Sequence, residues 1–279
     1  MHKLPLFDTH AHVDVEDFDE DREELLRSIG ETMAGIIDPG CDIPSSQTAL
    51  QLAHQYPFVW AAVGIHPEEI SHSSLEDLKQ IEAWCADPRV VAIGEIGLDY
   101  YNDEHSPHGL QQEFLIRQLD LARKTCLPVI IHDRDSHEDV LRIIREEGKG
   151  VRGVLHCFSG DWAMAEEALA LGWYLGFGGT STFKNDRGVR SILARVPEDR
   201  ILFETDSPYM APVPYRGKRN NPLYTAIVAE RAAELRGTTP EKIMESSTNN
   251  AKKLFFRLIN QENSCTVYKN VTNYTCPNV

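Results

Sequence analysis

Two histidines one residue apart mark where chemistry begins in this chain. In Phe7-Asp8-Thr9-His10-Ala11-His12 an extended backbone alternates side chains between two faces, so His10 and His12 project together while Thr9 and Ala11 project oppositely. Neutral imidazole is the commonest nitrogen ligand for zinc, manganese or nickel, and two rings on one face reach a single cation. One such pair alone is weak evidence, because short motifs recur by chance. Four later segments give it weight.

Glu95 stands in Gly94-Glu-Ile-Gly-Leu-Asp99, His132 closes Pro128-Val-Ile-Ile-His132, His156 follows Gly153-Val-Leu155, and Asp206 sits in Glu204-Thr-Asp-Ser-Pro208. Each follows a short apolar run and so falls where a strand would end. Singly, each has an ordinary explanation as a cap, an ion pair or a hydrogen-bonded core residue. Jointly they do not. Buried histidines and carboxylates cost several kcal/mol unless paired or metal-bound, so six of them at one place need cations to balance them.

Two divalent cations suit this donor set better than one, and its histidines favour zinc, manganese or nickel over magnesium on softness grounds. Two metals ~3.5–4 Å apart need a bridging carboxylate, and Glu95, between glycines, is the choice. His10, His12 and Asp206 then hold one cation and His132 and His156 the other, and a shared water loses its proton near neutral pH. Asp206 also accepts a proton from the attacking water. His66, in Gly64-Ile-His-Pro67, ends another apolar run and is read either as a substrate contact and proton donor or as structural.

Basic residues cluster after the same kind of run. Arg134 follows His132 by two, Lys184 lies in Thr182-Phe-Lys-Asn185, and Arg216, Lys218 and Arg219 crowd the loop from Pro214 to Pro222. Guanidinium matches phosphate oxygens geometrically, so these residues read as a local anion clamp. Phe158 and Tyr100 are the candidates for stacking a base.

Such a site needs strands that end together. Apolar runs alternate with amphipathic segments throughout, the signature of repeated strand-helix units and a parallel sheet. Strands are expected at Leu4 to His10, Ala34 to Asp38, Phe58 to Gly64, Val90 to Glu95, Pro128 to His132, Gly153 to Cys157, Trp173 to Phe177 and Ile201 to Thr205. Leu110, Phe114, Leu115, Leu119 and Ala122 repeat at helical spacing. Eight strands in a chain near the ~250 residues typical of the type predict a (β/α)8 TIM barrel, whose functional groups gather at the strand ends. An open doubly wound sheet is disfavoured because its glycine fingerprint is missing after the first strand. A last helix, Pro240 to Leu258, is expected outside the barrel.

Residues 1–262 therefore read as one hydrolase-type barrel domain and 263–279 as a polar, mobile tail. The acidic run from Glu16 to Glu24 reads as fronting the first helix. No apolar run approaches the ~20 residues of a bilayer crossing, and no room precedes the first strand for a targeting peptide, so the expected compartment is the cytosol. There the glycosylation patterns at Asn270 and Asn273 would go unused. Six scattered cysteines read as reduced thiols, with Cys265 and Cys276 the pair to watch. Histidines 2, 54, 72, 105, 108 and 137 read as exposed. A net charge of −15 excludes coating of nucleic acid by bulk attraction, while local capture of an anion stays open.

Taken together, these residues resemble the TatD-type metal-dependent deoxyribonucleases, a branch of the amidohydrolase-like barrels. The match runs through Phe7 to His12, Val63-Gly-Ile-His-Pro67, Ile93 to Tyr101, Leu127 to Arg134, Leu155-His-Cys-Phe-Ser-Gly160, Thr182 to Asn185, Glu204 to Pro208, Arg216-Gly-Lys-Arg-Asn220 and Asn249 with Leu254-Phe255. The resemblance implies a phosphodiester hydrolase, with DNA exonuclease activity in several members, and assigns His10, His12, Glu95, His132, His156 and Asp206 as metal ligands. It also implies activity with magnesium. Asn221, Ser136 and the tail depart from the pattern, and none is a ligand.

The leading expectation is thus hydrolysis of DNA by a metal-activated hydroxide. Hydrolysis of a small amide, lactone or ester by the same apparatus is the alternative, since loops choose the substrate on this fold. A non-catalytic nucleic-acid platform is the third. Oligomeric state is left open, a monomer being sufficient for such a site.

Overall fold

The structure, a computed structural model, describes residues 4–104, 106–185 and 188–260. The expected tail with Cys265, Cys276, Asn270 and Asn273 lies outside the described residues, as do His2 and His105. The strands are β1 (Phe7–Asp8), β2 (Gly35–Pro39), β3 (Val59–Val63), β4 (Val90–Asp99), β5 (Val129–Arg134), β6 (Gly153–Leu155), β7 (Tyr174–Phe177) and β8 (Ile201–Phe203). All neighbouring pairs are parallel, in the order β1 to β8. The ring closes between the segments after β8 and β1: Thr9 N donates to Phe203 O at 3.1 Å, Asp206 N to His10 O at 2.9 Å and His12 N to Ser207 O at 2.9 Å. This is the expected TIM barrel.

Helices follow each strand: α1 (Arg22–Thr32), α2 (Ile43–Gln55), α3 (Leu78–Trp84), α4 (His108–Thr125), α5 (His137–Glu146), α6 (Trp162–Ala170), α7 (Val189–Arg195) and α8 (Thr225–Arg236), with α9 (Pro240–Leu254) and α10 (Arg257–Asn260) ending the described chain. Their starts follow local chemistry. Asp42 and Asp161 cap α2 and α6 by accepting from Ser45 N and Met164 N, which satisfies amides the first turn leaves unpaired. No helix among the described residues is long and apolar enough to cross a membrane.

Strands buried on both faces read as continuous apolar runs, and here they divide two cores. Ile36, Val59, Val63, Ile93 and Ile131 face the surrounding helices. Ile37, Trp60, Val91, Ile130, Val154 and Leu202 fill the interior together with Leu254, Phe255 and Leu258. The last helix therefore does not simply pack outside, as the sequence pattern suggested. Its end turns inward and plugs the barrel floor, where Arg257 bonds to the carbonyls of Val90 at 2.6 Å and Asp87 at 2.8 Å.

Two strands run further than their apolar runs. β4 continues past Glu95 to Asp99, pairing Gly97 with His132 and Asp99 with Arg134 after an irregularity between Ile93 and Ile96. Cys41, Cys85 and Cys157 are free thiols. Cys126 is disulfide-bonded, which corrects the expectation of reduced thiols throughout.

Candidate metal centre

All six expected ligands meet at the C-terminal end of the barrel, and Glu95 is their hub. Its Oε2 lies 3.2 Å from His10 Nε2 and 3.5 Å from His12 Nε2, while Oε1 lies 2.8 Å from His156 Nε2 and 3.0 Å from His132 Nδ1. Asp206 Oδ1 stands 3.7 Å from the Nε2 atoms of both His10 and His12. Three donor triplets each fall within 4.8 Å: His10, His12 and Glu95; His10, His156 and Asp206; and His66, Glu95 and His132. One carboxylate thus faces both histidine pairs with different oxygens.

Asp8 sets the frame beneath them. It accepts from His10 N and Thr205 N, both at 3.1 Å, from Thr205 Oγ1 at 2.6 Å and from Thr225 Oγ1 at 3.0 Å. These bonds lock together the β1 and β8 ends that bear His10, His12 and Asp206. Burial pushes the Asp8 carboxyl up to about 7, against the lowering effect of Thr205.

Hydrogen bonds on the far side of the rings decide which nitrogen faces Glu95. His12 Nδ1 lies 3.1 Å from the Pro39 carbonyl and His132 Nε2 lies 3.0 Å from Asp99 Oδ2. Both partners only accept, so these nitrogens carry the protons and the opposite lone pairs point at the hub. His156 Nδ1 faces Glu204 Oε1 at 3.6 Å, a contact rather than a bond. The His10 and His12 Nε2 atoms approach to 3.1 Å. Two imidazole nitrogens that close, beside a buried carboxylate, suit a divalent cation, so the residues present fit the metal that the donor chemistry implies.

Electrostatics agree with that fit. Burial raises the Glu95 carboxyl, yet the imidazoles of His156, His10 and His66 overcome it and hold the group well below the usual range. Burial opposes charge on His132, but Asp99 and Glu95 lift it to about 9. His12 and His156 rise against burial too, through Cys41 and Glu95 and through Glu95 and Glu204. His10, fully enclosed and beside His156, is pushed down. Burial raises Asp206 to about 6 although His156 and His12 oppose it. With no cation bound, a second proton on the hub-facing nitrogens of His12, His132 and His156 balances Glu95; a metal ion would displace it and take the lone pair.

His66 adjoins the hub, its Nε2 3.6 Å from Glu95 Oε1, while its Nδ1 accepts from Glu68 N at 3.2 Å. The substrate contacts expected from sequence separate more. Arg134 lines the cavity of about 1010 Å³ over the hub. Lys184, Arg216 and Lys218 are exposed and stand outside its lining. Arg216 lies over the Phe183 ring at 4.3 Å, and Arg219 is ion-paired to Asp21. Phe158 is only 2% exposed and belongs to the core, so it is no rim aromatic. Tyr100 is half-buried, stacked on His108 at 3.5 Å with its hydroxyl donating to Asp139. Neither offers a face to the cavity.

Sequence reasoning missed Asp99, Glu204 and the Pro39 carbonyl. A signal for Asp99 existed: along a strand, Glu95 and Asp99 share a face just as His10 and His12 do. Of the histidines expected exposed, His54, His72 and His108 are, whereas His137 forms part of the cavity wall and bonds to Asp133 at 2.7 Å.

Known proteins share these features. Residues 7–256 match the sequence family described as TatD related DNase. The chain is 44% identical over 252 residues to the metal-dependent hydrolase YabD of Bacillus subtilis, covering 90% of this chain and 98% of that one. It is 36% identical over 255 residues to the metal-dependent hydrolase YcfH of Escherichia coli, covering 90% and 95%. The crystal structure of YjjV, a TatD homologue from Escherichia coli, superposes with a TM-score of 0.85 at 32% identity, covering 91% and 98%. With the matched fold, the matched length and the donor cluster in place, this chain belongs to the TatD related DNase family and is a metal-dependent hydrolase.

Proposed function

We propose that this protein hydrolyses phosphodiester bonds of DNA, removing nucleotides from a strand end with two divalent cations bound, in the cytosol. The observation that supports it is the division of Glu95, whose two oxygens address two separate imidazole pairs. A two-sided centre suits in-line displacement at phosphorus, where entering and leaving oxygens need stabilising on opposite sides. Cations bound there supply neutralisation of charge on the phosphorus oxygens and acidification of water. A cavity, as opposed to a groove across the surface, suits a strand end.

Asp206, lifted by burial to about 6, takes the proton of the attacking water. His66 is bonded through Nδ1 to the Glu68 amide, so its neutral ring carries the proton on Nε2, toward the cavity. That N–H donates a hydrogen bond to the leaving oxygen and stabilises its developing charge, while water supplies the proton. Arg134 at the lip pairs with phosphate.

Incubation with magnesium or manganese and end-labelled single-stranded DNA tests this reading, which expects successive nucleotide release. Glu95→Gln should reduce it at least ~10³-fold, since several kcal/mol of charge stabilisation are lost. A second reading has its own support: Asp14, Asp42, Glu68, Glu69, Asp133 and Asp135 also line the cavity, and an acidic wall favours a small neutral amide, lactone or ester. Turnover of a cyclic amide without nucleotide release would replace the first reading by the second.

A further inference from the structure

Two tyrosine rings stand largely exposed at the cavity rim. Tyr101 is 63% exposed and Tyr209 54%, and both line the cavity. Tyr101 follows β4 and Tyr209 follows β8. Four strands apart in a ring of eight, these positions are diametrically opposed. The metal centre lies between them.

Each ring is anchored to the centre by its own backbone. Asp99 Oδ1 accepts from Tyr101 N at 2.9 Å and Asn102 N at 2.7 Å, while Oδ2 of the same carboxylate faces His132. On the other side Tyr209 N donates to Asp206 O at 2.8 Å and Tyr209 O accepts from Asn220 Nδ2 at 2.6 Å. Tyr209 also reaches the centre directly, its ring 6.2 Å from that of His12. The side chains are exposed, yet their starting points are fixed. The two rims differ in charge: the Arg134 guanidinium lies 4.0 Å from the Tyr101 ring centroid, which leaves the other ring face for a ligand.

We infer that Tyr101 and Tyr209 are the two base-stacking platforms that hold the nucleosides on either side of the scissile phosphate. This rests on the phosphodiester reading above and specifies how the substrate is gripped. Stacking on an aromatic face tolerates every base, because each has a π surface. It also needs no positive wall, which resolves how an acidic cavity takes a polyanion: the grip is on the bases, and positive charge is confined to the cations and Arg134. The rings that the sequence offered for stacking, Tyr100 and Phe158, are occupied elsewhere.

The test compares end-labelled single-stranded DNA with the same strand carrying abasic residues beside the scissile bond. Wild-type protein should prefer the base-bearing strand, and Tyr101→Ala or Tyr209→Ala should each lower that preference by roughly tenfold, the equivalent of ~1.4 kcal/mol of stacking. Tyr101→Phe and Tyr209→Phe should retain it, since a ring is what the base needs. A cleavage-resistant phosphorothioate strand bearing 2-aminopurine gives a readout independent of turnover: its fluorescence should be quenched by wild type and by both Phe variants, and released from quenching by the Ala variants. Equal handling of base-bearing and abasic strands by wild type, or an undiminished preference in the Ala variants, would overturn the platforms while leaving nuclease activity standing. Absence of nucleotide release from either strand would instead remove the phosphodiester reading and the platforms with it.

Discussion

The Asp99 carboxylate lies 3.0 Å from His132 Nε2, and the other nitrogen of that ring lies 3.0 Å from Glu95. Asp99 touches no other expected ligand, so its contribution to the metal centre passes through the orientation of one imidazole. Loss of such a partner costs 10–100-fold in metal affinity. Asp99→Asn should weaken manganese binding by about that factor in a calorimetric titration, while Asp139→Asn, remote from the hub, should not. Unchanged affinity in Asp99→Asn would show that the ring is held by packing alone.

Gly97 is constrained by the same strand pair. Its φ is +148°, and a Cβ built there would lie 2.0 Å from the His132 carbonyl oxygen. Since that atom is backbone, relief requires moving β5 and with it His132. Gly97→Ala should destabilise the fold by about 1–3 kcal/mol and weaken metal binding as well. A melting temperature equal to wild type would refute the close approach.

Acid sensitivity should arise partly at Asp139. Its carboxylate accepts from Arg142 Nη2 at 2.8 Å, Tyr100 Oη at 2.8 Å and Gln112 Nε2 at 3.0 Å, and Arg142 foremost, then Tyr100, holds it below its ordinary 3.8. A carboxyl depressed in the folded state adds stability that is present above its unfolded value and lost as pH falls through the folded one. Asp139→Asn should therefore cost ~1 kcal/mol near neutrality, and the gap between variant and wild type should close below about pH 4. Parallel unfolding curves at pH 7 and pH 3 check the sign.

Phe255 closes the barrel floor. It is fully buried with Leu254 against Trp60, Val91 and Ile130, a site with little freedom to collapse once emptied. Phe255→Ala should destabilise by about 3–5 kcal/mol, measurable by urea unfolding. A cost under ~1 kcal/mol would mean the end of α9 is ornamental to the core.

Much of this was legible before any coordinates because the relevant signals are local. The strands of a barrel covered by helices are buried on both faces, so Val59–Val63 and Val90 to Ile93 announce themselves as apolar runs. The chemistry of a barrel gathers at strand ends, so a polar residue closing such a run declares its place without long-range information. That is why His10, His12, Glu95, His132, His156 and Asp206 were found together. The end of β4 was misjudged for the same reason: a carboxylate stops an apolar run, although the backbone continues to Asp99.

The sequence by itself determined the repeating architecture and which histidines and carboxylates close its strands. Only the tertiary structure decided what each donor meets. Glu95 lies between two histidine pairs because β4 stands between their strands. Asp99 and the Pro39 carbonyl choose the ring nitrogens, and neighbouring Tyr100 and Tyr101 part ways, one stacked on His108 and the other turned to the rim. These outcomes depend on distances between segments far apart in the chain, and no periodicity or spacing records them.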